Sequence, residues 1–138
     1  MKPYRQLEHT ADLRLRIQGG TLRSLFRNAL FAVADLLTDA SKVRKVSSQK
    51  LKVRGENAEI LLIRFLREIL FLFDTRRFLP RRLEFIRLED KILEAKIWGE
   101  KFSPGRHPLK TEIKAVTYHG LKVERRRGRW VAEVVFDV

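Results

Sequence analysis

Two short stretches at opposite ends of the chain carry carboxylates that a cation could gather. Near the start runs Glu8-His9-Thr10-Ala11-Asp12, with Asp12 where an alternating strand begins. At the other end Asp137 closes the last strand, and Val138 would add a free α-carboxylate if the chain ends there. Carboxylates collected at one edge repel one another unless a cation joins them. Oxygen donors of this kind suit Ca²⁺, Mg²⁺ or Mn²⁺ better than Zn²⁺. Taken singly, each aspartate is more simply explained as a turn or strand-end residue. The periodicity does not say that the two ends meet.

A second polar concentration is Thr111-Glu112-Ile113-Lys114-Ala115-Val116-Thr117-Tyr118-His119-Gly120. It offers Glu112, Lys114, Thr117 and His119, but no serine or aspartate stands beside His119 in a triad order. A third is basic: Arg76, Arg77, Arg81 and Arg82 bracket Phe78 and Pro80, and Arg125, Arg126, Arg127 and Arg129 lead into Trp130. Cations beside aromatics suit a nucleic-acid backbone with stacked bases. They equally suit a solvated turn beside a core tryptophan, and Trp130 falls in phase with Ala132 and Val134.

Several chemistries are excluded. There is no cysteine, hence no disulfide, thiolate zinc site or cysteine nucleophile. The three histidines, at 9, 107 and 119, never stand at HExxH spacing. Gly19-Gly20 precedes a helix but lacks a phosphate-binding glycine pattern, so the chain should not bind nucleotides alone.

The elements that must position these residues follow from periodicity. Residues 4–8 form a short first strand. Leu13, Leu15 and Ile17 alternate with Arg14, Arg16 and Gln18 as a half-buried strand ended by Gly19-Gly20. Thr21 caps an amphipathic helix over 21–37, carried by Leu22, Leu25, Phe26, Ala29, Leu30, Val33, Leu36 and Leu37. Residues 45–54 form a strand with Val46, Leu51 and Val53 apolar. Asn57 caps a second helix over 57–73 whose stripe is Ile60, Leu61, Leu62, Phe65, Leu66, Ile69, Leu70 and Phe73. A loop is expected over 74–80, then a hairpin of 82–88 with 92–98 and a long exposed loop over 99–110. Strands over 111–117 and 118–126, joined closely or continuous, and a last strand over 130–137 complete the chain. The expected fold is α+β, a single domain over residues 1–138, with two main helices packed on a largely antiparallel multi-stranded sheet.

The chain has 138 residues, 44% of them apolar, enough to bury one core. The most apolar stretch, 60–73, is broken by Arg64, Arg67 and Glu68, and the first residues hold no apolar signal core. A cytoplasmic protein without a membrane partner is expected. The formal net charge is +13, which attracts polyanions such as RNA. With 34% charged residues it also fits the general surface of a thermophile.

Five ordered motifs carry a resemblance to one family. Glu8-His9-Thr10-Ala11-Asp12 resembles the archease His-Thr-Ala-Asp signature. Thr38-Asp39 is similar to the family's Thr-Asp after the first helix, and Leu70-Phe71-Leu72-Phe73-Asp74 to its second-helix ending. The run TEIKAVTYHGL over 111–121 resembles its longest motif, and Val135-Phe136-Asp137-Val138 its closing segment. The resemblance implies a non-catalytic activator of an RtcB-type tRNA-splicing ligase. Such an activator promotes guanylylation of the ligase's histidine, sustains its turnover and broadens its choice of nucleotide triphosphate. It also implies metal ligands at Asp12, Asp137 and Val138, with Ca²⁺ the expected ion and Mg²⁺ or Mn²⁺ the alternatives. His9, Lys114 and His119 then become candidates to face the partner. The alternative is an RNA-binding protein or RNA chaperone acting through the basic surface, with tRNA reached directly or through the ligase. A metal-dependent phosphodiesterase is a third reading, for which no clear second metal site is present.

Overall fold

The alternation of Leu15 and Ile17 with Arg14 and Arg16 builds β2 (Leu13–Gly19), whose two leucine-phase residues are fully buried. In the computed structural model, which describes residues 3–7 and 12–138, β2 is central in a four-stranded antiparallel sheet. Its neighbours are β1 (Tyr4–Leu7) and β7 (Arg129–Asp137), and β6 (Ala115–Arg126) lies beyond β7. A second antiparallel sheet holds β3 (Ser47–Arg54), β5 (Ile92–Lys101) and β4 (Phe78–Glu89), with β5 in the middle. The expected sheet is thus divided in two.

Both helices start where their caps say. Thr21 accepts from the Ser24 amide while the Ser24 hydroxyl accepts from the Thr21 amide, opening α1 (Leu22–Leu37). Asn57 Oδ1 accepts from the Ile60 amide at 2.9 Å, opening α2 (Ala58–Arg76). α1 packs on β2 and β4, and α2 on β6, β4 and β3, so the helices form a layer gripped between the two sheets. That explains why α2 is buried more widely than a one-sided stripe requires: Ile63 and Leu72, outside the expected set, are also buried. Phe26 of α1 meets Phe65 of α2 at 5.2 Å between ring centroids, in the middle of one continuous core.

Two expected loops are structured. The loop foreseen over 74–80 is compressed to Arg77 alone, between α2 and β4. Arg77 takes the left-handed conformation at φ 53°, and its amide donates to the carbonyls of Leu72 and Phe73. This position favours glycine or asparagine. Here the guanidinium lies over Phe73 at 4.3 Å and Phe102 at 5.2 Å, which offsets the conformational cost. Pro80 is accommodated within β4 because β4 is an edge strand and bulges just after it.

The exposed loop foreseen over 99–110 is pinned instead. β5 runs on to Lys101, where a Cβ on Gly99 would run into the Leu79 carbonyl. Beyond it His107, 1% exposed, sits 3.0 Å from Glu100 Oε2, and its Nδ1 accepts from the Ser103 amide. Glu100 also accepts from the Arg44 amide and pairs with Arg106. Val46, expected as an apolar member of the strand over 45–54, precedes β3 and is 63% exposed.

Burial by itself raises the Glu100 pKa. The Arg44 amide, the His107 hydrogen bond and the neighbouring positive charges outweigh it and hold the carboxyl below its ordinary value of 4.5. Glu133 is lowered in the same way by Arg16 and Arg14 against the effect of burial. A carboxyl with a depressed folded-state pKa adds stability that is present above its unfolded value and lost as pH falls through the folded one. The melting temperature should therefore drop below about pH 4.5. Glu100→Gln should cost ~1–3 kcal/mol at neutral pH and make the acid limb shallower, read by thermal melts across pH. Leu30→Ala and Phe65→Ala should each cost ~2–5 kcal/mol in denaturant melts. An unchanged midpoint would remove the residue from the core.

Candidate functional site at the carboxylate end

Pairing of β2 with β7 answers whether the two ends of the chain meet. Leu13 stands opposite Phe136, so the next residue outward on each strand is Asp12 on one and Asp137 on the other. Asp12 is half-buried and Asp137 exposed. On the far side of β7 the Lys114 amide donates to the Asp137 carbonyl at 2.7 Å, which fixes the segment before β6 to the same edge. Val138 follows and is 41% exposed. Asp12, Lys114, Asp137 and Val138 are thus gathered at one end of the first sheet. His9 lies outside the described residues.

His119 is placed differently. Thr117 pairs with Val135 and Lys122 with Glu133, so residues 118–121 bulge out against Val134 alone. Gly120 turns this bulge at φ 73°. His119 is exposed on it, farther along β6 from the Asp137 edge than Lys114, and its amide donates to the Thr117 hydroxyl. The stretches expected over 111–117 and 118–126, joined closely or continuous, form one strand with this bulge in it, and residues 111–114 precede it.

Two aspartates offer hard oxygen donors of the kind Ca²⁺ or Mg²⁺ accepts. Among the described residues no group of three or more His, Cys, Asp or Glu side chains stands together as a metal cluster. The side chains alone would therefore supply at most part of a coordination sphere. The donor set fits in kind, and a complete sphere would need further oxygens such as a chain-terminal carboxylate, backbone carbonyls or water.

Lys114 also borders a groove of ≈ 580 Å³ between the end of α2 and residues 109–114. Its walls carry Asp74 and Arg77 on one side and Lys110, Glu112 and Leu109 on the other. Backbone bonds from the Lys110 and Thr111 amides to the Leu37 and Leu36 carbonyls hold that second wall onto the end of α1. Asp35 supports the same corner: it accepts from Tyr4 Oη at 2.6 Å and lies 3.8 Å from Lys110 Nζ. Burial, followed by the hydrogen bond and charge of Asp35, raises the Tyr4 pKa and keeps the phenol a donor. Asp39 accepts from the Ser41 amide and hydroxyl, so the Thr38-Asp39 motif turns the chain after α1.

Exposed apolar side chains surround this groove. Leu109 is 59% exposed and Phe71 56%, the latter beside Lys114 and Asp74 in an adjoining hollow. Tyr118 is stacked by Arg67 at 4.5 Å, and Arg67 Nη1 donates to its hydroxyl. The sequence pattern did not single out these residues as a group. The available signal was Phe71, an aromatic lying outside the apolar stripe of its own helix. An exposed apolar rim around mixed charges is the composition of a protein-docking surface. Among its described residues no nucleophile–base pair of the kind hydrolysis needs stands together.

Comparison with known proteins is consistent over the whole chain. Residues 4–138 match the model of the Archease protein family. The protein archease of Pyrococcus furiosus is 38% identical and that of Sulfurisphaera tokodaii 35%, with full coverage of both chains in each case. The solution structure of protein 1598 of Methanobacterium thermoautotrophicum superposes with a TM-score of 0.85 at 29% identity, covering 100% of each chain. A crystal structure from Thermotoga maritima, described as an archease and possible chaperone, superposes at 0.68 and 23% identity over 96% of this chain and 94% of that one. The match along the chain and the shared fold agree: this protein belongs to the archease family.

Proposed function

We propose that this chain is a non-catalytic activator of an RtcB-type tRNA-splicing ligase. In this reading its carboxylate end engages the ligase and promotes guanylylation of the ligase's histidine, sustains turnover and broadens nucleotide use. One observation carries the proposal: the β2–β7 register sets Asp12 and Asp137 side by side next to an exposed apolar rim. A site that presents oxygen donors at a docking edge, without its own nucleophile, suits a protein that serves another protein's active centre.

Asp12 and Asp137, with the α-carboxylate of Val138 if the chain ends there, would hold a divalent cation, Ca²⁺ or its Mg²⁺ or Mn²⁺ counterparts. Such an ion supplies positive charge to phosphoryl oxygens during nucleotidyl transfer. The chain's own residues do the rest. Phe71, Leu109 and Tyr118 offer apolar contact, Lys114 offers polar contact at the carboxylate end, and His119 offers it farther along β6 on the bulge beside Tyr118. An activator shifts its target only by binding one state of it more tightly than another. The carboxylate end therefore has to prefer the ligase awaiting guanylylation.

The test is guanylylation of a cognate ligase at limiting GTP, with melts of each variant and Ca²⁺ titration by calorimetry. Asp12→Ala and Asp137→Ala should keep the fold, lose Ca²⁺ binding and bring guanylylation down to the rate of the ligase alone. Full stimulation by folded Asp12→Ala would overturn the assignment of this end. A C-terminal tag displaces the Val138 carboxylate and should weaken both Ca²⁺ binding and stimulation, whereas an N-terminal tag should leave them intact. Equal behaviour of the two tagged forms would remove Val138 from the site.

A further inference from the structure

Both sheets carry excess positive charge, and its surroundings differ between them. On the outer face of the first, Glu133 sits between Arg14 at 2.9 Å and Arg16 at 3.1 Å, and Glu124 sits between Lys122 and Arg126. Other cations of this sheet stay unmatched: Arg5 stands opposite Arg16, and Arg125 lies over the Trp130 ring at 5.5 Å. The outer face of the second sheet is different. Strand alternation buries Leu51, Val53, Leu93, Ala95, Ile97 and Leu83, which turns the intervening residues outward. Those residues form rows across the strands: Ser48, Trp98 and Arg82; Lys50, Lys96 and Glu84; Lys52, Glu94 and Arg87.

Lys50 stands directly opposite Lys96, an arrangement that costs stability. The carboxylates in these rows are committed elsewhere. Glu94 lies 3.6 Å from Arg87, and Glu84 Oε1 accepts from Trp98 Nε1 at 2.9 Å. Among the described residues Lys45, Lys50, Lys52, Arg82 and Lys96 make no ion pair. Unpaired cations occur on both sheets, but the first sheet's Trp130 packs against the core, whereas Trp98 lies in the outward phase of β5 among these cations.

Trp98 adds an aromatic. Its indole is held by Glu84 and forms, with Lys45, Arg82 and Glu84, a hollow of ≈ 290 Å³. Cations along β3 recur every second residue, roughly 6.6–6.8 Å apart. We propose that this face binds single-stranded nucleic acid, with one base stacked on Trp98 and the backbone phosphates on Lys50, Lys52 and Lys96. Stacking on a sheet-borne aromatic selects an unpaired base, and a flat face cannot enter a duplex groove, so a single strand is the occupant that fits. The site lies on the sheet that does not carry Asp12 and Asp137, and it stands or falls independently of the ligase.

The experiment uses the full chain with Trp130→Phe, which leaves Trp98 as the one tryptophan. Labelled oligouridylate, its DNA counterpart, a duplex, heparin and anionic phospholipid vesicles are titrated by anisotropy or co-sedimentation, and Trp98 emission is followed. Both single strands should bind and quench Trp98, the duplex should bind more weakly, and heparin should leave Trp98 unquenched. Affinity should fall with salt at a slope of about −0.7 per phosphate engaged. Lys50→Glu with Lys96→Glu should lower single-strand affinity about tenfold or more and flatten the slope. Lys122→Glu with Arg126→Glu makes the same charge change on the first sheet and should have little effect. Equal losses from the two pairs, absence of quenching, or vesicles binding more tightly than the oligonucleotides would each overturn the proposal. Melts of every variant exclude misfolding as the cause.

Discussion

The antiparallel pairing of β2 with β7 is the constraint on which the rest depends. It joins the first strand pair of the chain to the last, with Leu13 opposite Phe136 and Gly19 opposite Trp130. The buried phases of the two strands, Leu15 and Ile17 with Ala132 and Val134, fix the register. A slip of one residue would turn those side chains out to solvent and drive Arg14, Arg16 and Glu133 inward. The same register sets the relative height of Asp12 and Asp137. The candidate site is therefore held by the core, at some distance from the carboxylates themselves.

Burying a helical layer between two sheets has consequences at both surfaces. Each helix is covered on two sides, so its apolar arc is wide and little of it remains for a partner. What escapes burial is confined to the margin, as with Phe71 at the edge of α2. Each sheet in turn keeps one face free, and both free faces interleave carboxylates among a surplus of cations. Both leave like charges facing each other across strands, Arg5 opposite Arg16 in one and Lys50 opposite Lys96 in the other, a cost the fold itself does not require.

The joints show how a short connection can be built from residues without the usual signals. Arg77 reverses the chain in one left-handed residue because Phe73 and Phe102 provide a surface for its guanidinium. Residues 102–110 are tied by Glu100, which collects the Arg44 amide, Arg106 and His107 around one carboxylate. Arg77 lines the groove beside Lys114, and the segment that follows the Glu100 cluster supplies its other wall through Leu109 and Lys110.

Local chemistry in the sequence determined the two helices, their caps at Thr21 and Asn57, the alternating strands and the carboxylates at the two ends. Those features depend on residue spacing of two or 3.6 and on side chains reaching neighbours a few positions away, so a linear reading contains them. Tertiary structure decided the division into two sheets, the burial of His107 and the one-residue turn at Arg77. It alone brought Asp12 alongside Asp137, and it alone left Lys50 opposite Lys96. Each of these is a pairing between residues far apart in the chain, or between a backbone conformation and a ring supplied from elsewhere. Nothing in the immediate neighbourhood of such a residue encodes its partner; strand register and the packing of the core select it.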